Sequence, residues 1–258
     1  MDRLQDALWE AFWVVGPAVL GYLFGVLKRK MKIDLYKKIM RFDVKEPSES
    51  PLKIITANTA QHDDQELVVY GFVFEYRAAG ELGATLAKLY GPRYRISTTM
   101  SKRDFNNYTK GQLDQDLIVI GGPFHNSVTR EFFRRMGDSM PFHYDEDATL
   151  VYTNPDNPTL QKRFSAKEMR DYYGEDHALI MNVRNPINPE KRVIFISGCR
   201  SIGCYGGAIF MSQQLKELKG IVCDDEYAVV VYCSGGKEDL DSRPKFCEYF
   251  PLHITYSE

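Results

Sequence analysis

The sequence predicts an α/β domain with an open, mostly parallel sheet, set behind an N-terminal transmembrane helix and carrying a β-rich insertion. Three observations lead there. Val193–Met211 reads VIFISGCRSIGCYGGAIFM, an apolar strand, a glycine-rich turn and an apolar helix. The same order recurs upstream, where Asp116–Ile120 is followed by Gly121-Gly122-Pro123 and a helical stretch from Asn126 to Met136. Ala11–Leu27 is 17 residues long without a charge, just enough to span a bilayer.

The membrane reading draws on the flanks of that stretch. Trp9 and Trp13 sit near one end, Lys28, Arg29, Lys30 and Lys32 follow the other, and Asp2, Asp6 and Glu10 precede it. The positive-inside rule then puts the N-terminus outside the cell membrane and the C-terminal domain in the cytoplasm. Pro17 and glycines 16, 21 and 25 are tolerable in a membrane helix. Gly21 and Gly25 form a G-x-x-x-G, compatible with a homo-oligomer. Residues 1–27 are thus assigned to the helix and its flank, residues 28–51 to a charged juxtamembrane connector, and residues 52–258 to the domain. The basic run Lys28–Lys32 is suited to anionic headgroups.

Within the domain, Leu52–Ala57 is the first strand and Asn58–Asp64 a polar loop. Leu67–Tyr76 is rich in β-branched and aromatic residues and reads as a loop or short strand. Ala78–Tyr90 is a helix with Leu82, Leu86 and Leu89 on one face, ending at Gly91-Pro92. Tyr94–Thr98 and Asp116–Ile120 are further strands, the latter apolar after its first residue, as in a strand buried on both faces. Pro141–Pro186 breaks into short strands joined by Asn, Pro and Asp turns. It reads as the β-rich insertion (about 141–186), a lid at the edge where the glycine loops lie. Arg192–Ile196 returns to the parallel sheet, Ala208–Leu218 is its helix, Tyr227–Cys233 is another strand, and Phe246–Tyr256 closes the sheet as an edge.

Two strand–glycine–helix corners place backbone N–H groups and helix N-termini at the carboxyl edge of a sheet, where anionic ligands are received. The candidate ligand-binding residues are Gly121, Gly122, Pro123, Asn126 and Arg130 in the first corner. In the second they are Gly198, Arg200, Ser201, Gly203, Gly206 and Gly207. Asn126 is either the N-cap of its helix or a contact to a base or ribose. Arg130 and Arg200 have the fork geometry that grips phosphate. The glycines either admit a ligand or only allow close packing. Glu81, in Gly80-Glu81-Leu82, is the candidate catalytic carboxylate: a nucleophile, a ribose ligand, or a helix-dipole charge.

Other classes find less support. Lys plus Arg number 33 against 35 Asp plus Glu, a net charge of -2, which gives no case for nucleic-acid binding. Five cysteines without a C-x-x-C pair read as reduced thiols. His62, Asp63 and Asp64 are adjacent and ill-placed to converge on a metal, and the other histidines lack paired spacing. No metal and no cofactor is assigned beyond a nucleotide-type ligand.

The segments Asp116–Asn126 (DLIVIGGPFHN) and Gly198–Ala208 (GCRSIGCYGGA), preceded by Gly80-Glu81-Leu82 and Ala84, together resemble a bacterial Rossmann-like domain. Such domains occur behind helix-turn-helix segments or membrane helices. The likeness extends loosely to the nucleotide-handling group that includes the nucleoside deoxyribosyltransferases, and covers roughly residues 52–233. It implies a nucleotide or nucleotide-derived ligand in the crevice. Cys204-Tyr205-Gly206 departs from the pattern, where a Gly-Thr-containing version is expected, so no catalysis is carried over. With the membrane helix, this gives a membrane-anchored sensor or effector as the leading expectation, with bacterial defence or stress signalling as one use. The alternatives are cleavage or transfer of a nucleoside glycosidic bond through Glu81, and a membrane scaffold with purely structural glycines.

Overall fold

The computed structural model describes residues 2–42, 52–57, 65–90, 95–168, 174–235, 240 and 242–256, and for residues 2–18, 65–72, 110 and 168 the backbone alone. The polar loop 58–64, with His62, Asp63 and Asp64, lies outside them. The chain forms a mixed α/β fold. Its main sheet has the order β11-β10-β8-β9-β3-β1-β2, built from β1 (Leu52–Thr56), β2 (Ile96–Met100), β3 (Leu117–Ile120), β8 (Gly174–Arg184), β9 (Arg192–Gly198), β10 (Glu226–Gly235) and β11 (Lys245–Leu252). β2, β1, β3 and β9 pair in parallel, and β8, β10 and β11 then alternate in direction. Five of the seven strands on this path therefore run the same way.

The strand periodicity sorts the core into two layers. Leu52, Ile54, Ile118, Ile120, Ile194 and Ile196 face one side, under α2 (Gln65–Tyr90) and α5 (Ser201–Gln213). Leu117, Val119, Val193 and Phe195 face the other, with Val128 and Phe132 of α4 (Ser127–Met136). Covering both faces explains why Leu117–Ile120 and Val193–Ile196 are apolar at every position. A short helix, α3 (Lys110–Leu113), precedes β3.

Three expectations change. Leu67–Tyr76 is not a strand: α2 is one helix from Gln65 to Tyr90. Phe74, Ala78, Leu82, Leu86 and Leu89 form a buried stripe along it, and packing of that stripe overrides local β propensity. The insertion is smaller than 141–186. It consists of a three-stranded antiparallel sheet, β4 (Phe142–Tyr144), β5 (Leu150–Asn154) and β6 (Asn157–Phe164), plus the short β7 (Lys167–Glu168). Gly174–Arg184 is instead a central strand of the main sheet, held between β9 and β10. The third change concerns the connector. Residues 28–40 continue a single helix, α1 (Asp2–Met40), whose end enters the core: Tyr36, Ile39, Met40 and Phe42 are buried.

That docking is polar as well as apolar. The Tyr36 hydroxyl donates to the carbonyls of Met211 (3.0 Å) and Ser212 (2.6 Å) at the end of α5. Asn182 Nδ2 donates to Ile39 O and Met40 O, both at 2.9 Å, and Tyr227 Oη donates to Ile39 O at 2.7 Å. These bonds satisfy carbonyls that a helix end leaves open. Arg41 stops the helix with φ 56°, a left-handed conformation usual for glycine. Its guanidinium holds it there, donating to Asp225 Oδ1 at 3.0 Å and Asp224 O at 2.7 Å.

Among the described residues no helix is long and apolar enough to cross a membrane. The side chains of residues 11–18, the first part of the expected span, lie outside them. Val19, Leu20, Tyr22, Leu23, Phe24, Val26 and Leu27 are all exposed.

Asn182→Ala removes both bonds to the helix end and the acceptor for Arg192 Nε, 3.1 Å away. Leaving those buried groups unpaired is expected to cost about 1–3 kcal/mol, read as a lower midpoint in denaturant. An unchanged midpoint would mean that α1 is not docked through this contact.

Candidate functional site

The two glycine corners are neighbours. β3 and β9 pair directly, Ile120 opposite Ile196, so both corners leave the same carboxyl edge. Gly121 N–H donates to Ile196 O at 2.9 Å. A Cβ placed on Gly122 would lie 3.2 Å from Ser197 Oγ and 3.7 Å from Gly198 O. Gly121 has φ +114°, which only glycine adopts readily. The turn closes through Gly122 O, which accepts from the N–H groups of His125 and Asn126.

Asn126 proves to be the N-cap. Its Oδ1 accepts from Val128 N (3.0 Å) and Thr129 N (3.4 Å), and its Nδ2 donates to Ile120 O at 3.0 Å. Fully buried, it ties α4 to the end of β3. Thr129 Oγ1 adds a bond to Gly121 O at 2.8 Å. Pro123 is half-buried in the turn, and Arg130 is exposed on α4.

The second corner differs from its expected form. Gly203, Gly206 and Gly207 are not loop residues but lie in the first turns of α5, buried. A Cβ on Gly203 would come within 2.5 Å of Asp176 Oδ2 and 2.8 Å of His177 O. One on Gly206 would meet Cys233 Sγ at 2.6 Å, and one on Gly207 the Ile196 side chain at 2.7 Å. Gly198 is equally tight, 2.7 Å from Cys204 N. These glycines bring α5 close against β8, β9 and β10.

The N-terminus of α5 already holds a carboxyl group, and it is the protein's own. Asp176 Oδ2 accepts from Gly203 N (2.6 Å) and Arg200 N (2.9 Å), while Oδ1 accepts from His177 N (2.7 Å). This carboxylate, 1 % exposed, occupies the helix end that the sequence offers to a phosphate. Burial raises its pKa to about 7 against the pull of those N–H groups. Ser201 is half-buried beside it. The exposed Arg200 guanidinium reaches Asp147 O at 3.4 Å, a bond from the corner to the insertion.

The insertion does lie over this edge. Tyr144 of β4 brings its hydroxyl to Ser197 Oγ (2.7 Å) and Ser197 O (3.0 Å). Cys199 Sγ donates to Phe164 O at 3.0 Å. Burial pushes the Cys199 thiol up to about 12 and raises the Cys204 thiol well above its ordinary value, so both are neutral packing groups. All five cysteines are free, with Cys223 and Cys247 exposed.

On the β1 side the edge carries an unforeseen carboxyl group. Glu75 of α2 is only 7 % exposed. Its Oε2 accepts from Ala57 N at 3.2 Å, and a Cβ on Gly121 would stand 3.4 Å from its Oε1. Burial lifts its pKa from 4.5 to about 8, opposed only by the Ala57 N–H. Glu81, the expected catalytic carboxylate, is exposed in the middle of α2, six residues further on and away from the buried stripe. The signal missed in the sequence is that Glu75 is the one acidic residue in the apolar run Leu67–Ala79.

Another concavity lies at the opposite edge, lined by Lys37, Lys38, Arg41 and Phe42 at the end of α1. Among the described residues no group of three or more His, Cys, Asp or Glu side chains could hold a metal ion. No protein-family model matches the chain, and no curated protein matches it. The likeness to nucleotide-handling domains thus rests on the corner residues alone.

A raised carboxyl pKa means that the folded chain keeps a proton the unfolded chain releases. The contribution of Glu75 is full below about pH 4.5 and is lost as pH rises through about 8. Asp176 acts with the same sign up to about 7. The melting temperature of the parent should therefore fall more between pH 5 and about 8 than that of Glu75→Gln, which has no proton to lose. Parallel curves would show that Glu75 is ionised in the fold.

The packing role of the glycines separates two further variants. Gly203→Ala should destabilise by about 1–3 kcal/mol through overpacking. Gly80→Ala, with nothing within 4 Å of the added carbon, should stabilise by about 0.5–1 kcal/mol through helix propensity. Equal effects on the unfolding midpoint would contradict the close approach of α5.

Proposed function

We propose that the chain is a membrane-anchored sensor or effector whose domain binds a nucleotide-type ligand at the carboxyl edge of its sheet. The observation that carries the reading is the corner between β1 and β3, where the Gly121–Gly122 turn meets the buried carboxyl of Glu75. Open α/β sheets receive ligands outside the carboxyl ends of their strands, and a buried carboxyl with a raised pKa at such an edge is a candidate for a functional group. The site is shifted from the one expected: Asp176 fills the α5 terminus, so the ligand's place is beside Gly121, Gly122 and Ser197.

The anchor reading is supported by exposed apolar residues 19–27 on a helix that continues without a break into the core. The basic residues that follow favour an N-terminus outside and the domain in the cytoplasm. From Leu27 to Met40 the helix rises roughly 20 Å, a stiff stalk instead of a loose tether. A Cβ on Gly21 or Gly25 meets nothing within 4 Å, leaving a small-residue face for helix association into an oligomer. The glycosidic-bond alternative through Glu81 is disfavoured by that residue's exposed position.

One preparation tests the reading. Membranes from expressing cells are washed in high salt, the chain is extracted in detergent, and the small molecules released on denaturation are identified by mass spectrometry. Retention on the membrane and a stoichiometric nucleotide are expected. Release by salt would overturn the anchor, and a purified chain free of nucleotide would overturn the ligand class.

A further inference from the structure

Two polar groups at the β1–β3 corner have hydrogen-bonding capacity that the described residues leave unused. Thr56, 1 % exposed, has its hydroxyl buried without a partner among those residues. Among the described residues Glu75 has one bond, from Ala57 N–H to Oε2, and no cation acts on it. The strand repeat puts Thr56 on the same side of β1 as Leu52 and Ile54, under α2, the helix that carries Glu75. Hydroxyl and carboxyl thus converge where β1 ends. Buried polar groups are nearly always paired, and an unpaired one costs about 1–3 kcal/mol. An unpaired hydroxyl near a carboxyl that holds a single bond is a pair that a ligand can complete.

We propose that Thr56 and Glu75 form a subsite for the sugar hydroxyls of the nucleotide, an inference that rests on the nucleotide reading of the crevice. A hydroxyl and a carboxyl that keeps its proton each donate and accept, and so does each hydroxyl of a ribose diol. A phosphate only accepts, and here it would face a carboxyl group with no cation to offset it, so it belongs elsewhere along the edge. Gly121 packs directly beside the carboxyl: a side chain there would stand 3.4 Å from Oε1 and 3.0 Å from the Ala57 Cβ, so only glycine fits at this point of the edge.

The test uses the full chain in detergent and titrates it with ribonucleoside 5′-mono- and triphosphates of the common bases and with their 2′,3′-dideoxy counterparts. At least one ribonucleotide should bind about tenfold more tightly than its dideoxy form, the loss expected when one buried polar group goes unpaired. Glu75→Ala and Thr56→Val should each remove that preference and leave the dideoxy affinity unchanged. Glu75→Gln, which keeps a donor and an acceptor, should retain it. Thr56→Val is nearly isosteric, so it carries the test should Glu75→Ala fail to fold. Equal affinity of the parent for both sugar forms, or equal weakening of both in Thr56→Val, would overturn the subsite alone. Failure of the parent to bind any of these nucleotides would overturn the nucleotide reading and the subsite together.

Discussion

The carboxylate of Asp176 against the first turn of α5 is the contact on which the arrangement depends. It satisfies N–H groups that a helix start leaves open and complements the positive end of the helix dipole. It works only because Gly198 and Gly203 let the helix come within contact of the end of β9. Once seated, α5 lies on β8, β9 and β10 and supports α2 through Tyr205, whose ring meets Phe74 at 5.6 Å and Arg77 at 4.8 Å. α2 in turn carries Glu75 to the end of β1. The geometry of this edge thus descends from an internal carboxyl–helix contact, not from a loop shaped around an external phosphate.

The same helix joins the carboxyl edge of the sheet to the docked end of α1. The start of α5 lies at the carboxyl edge, beside Ser197, and its end accepts the Tyr36 hydroxyl from α1. Asn182 and Tyr227, which also hold α1, sit where β9 begins. The stalk and the crevice are therefore at opposite edges of one sheet, separated by a single helix of 13 residues, roughly 20 Å. Packed elements of this kind move as units, so a ligand that shifts α5 has a direct mechanical route to α1, and an α1 held in an oligomer has the same route back.

How much of this was legible in the sequence follows from which forces were local. Strand–glycine–helix order marked β3, β9, α4 and α5 because short-range patterning and backbone freedom determine those corners. Their adjacency followed from parallel pairing. The N-cap role of Asn126 was readable too, since that bond spans only two or three residues. What was not legible depended on distant partners. Leu67–Tyr76 looks like a loop or short strand until the stripe through Phe74 and Ala78 is packed. β8 looks like part of an insertion until β9 and β10 close on it. Asp176 stands 27 residues from Gly203, and Glu75 stands 18 from Ala57, so neither role shows in local spacing. Glu81 drew attention because a neighbouring glycine mimicked a helix start, whereas that position lies inside a longer helix.

The account's central claim is the place of the ligand. The most direct measurement is an experimental structure of the full chain with the nucleotide it retains on purification. The account predicts ligand density at the carboxyl edge, touching the Gly121–Gly122 backbone with its sugar against Thr56 and Glu75, and the Asp176 carboxylate still on α5. Density in the basic cleft of Lys37, Lys38 and Arg41 at the opposite edge, with the Glu75 corner unchanged, would contradict it.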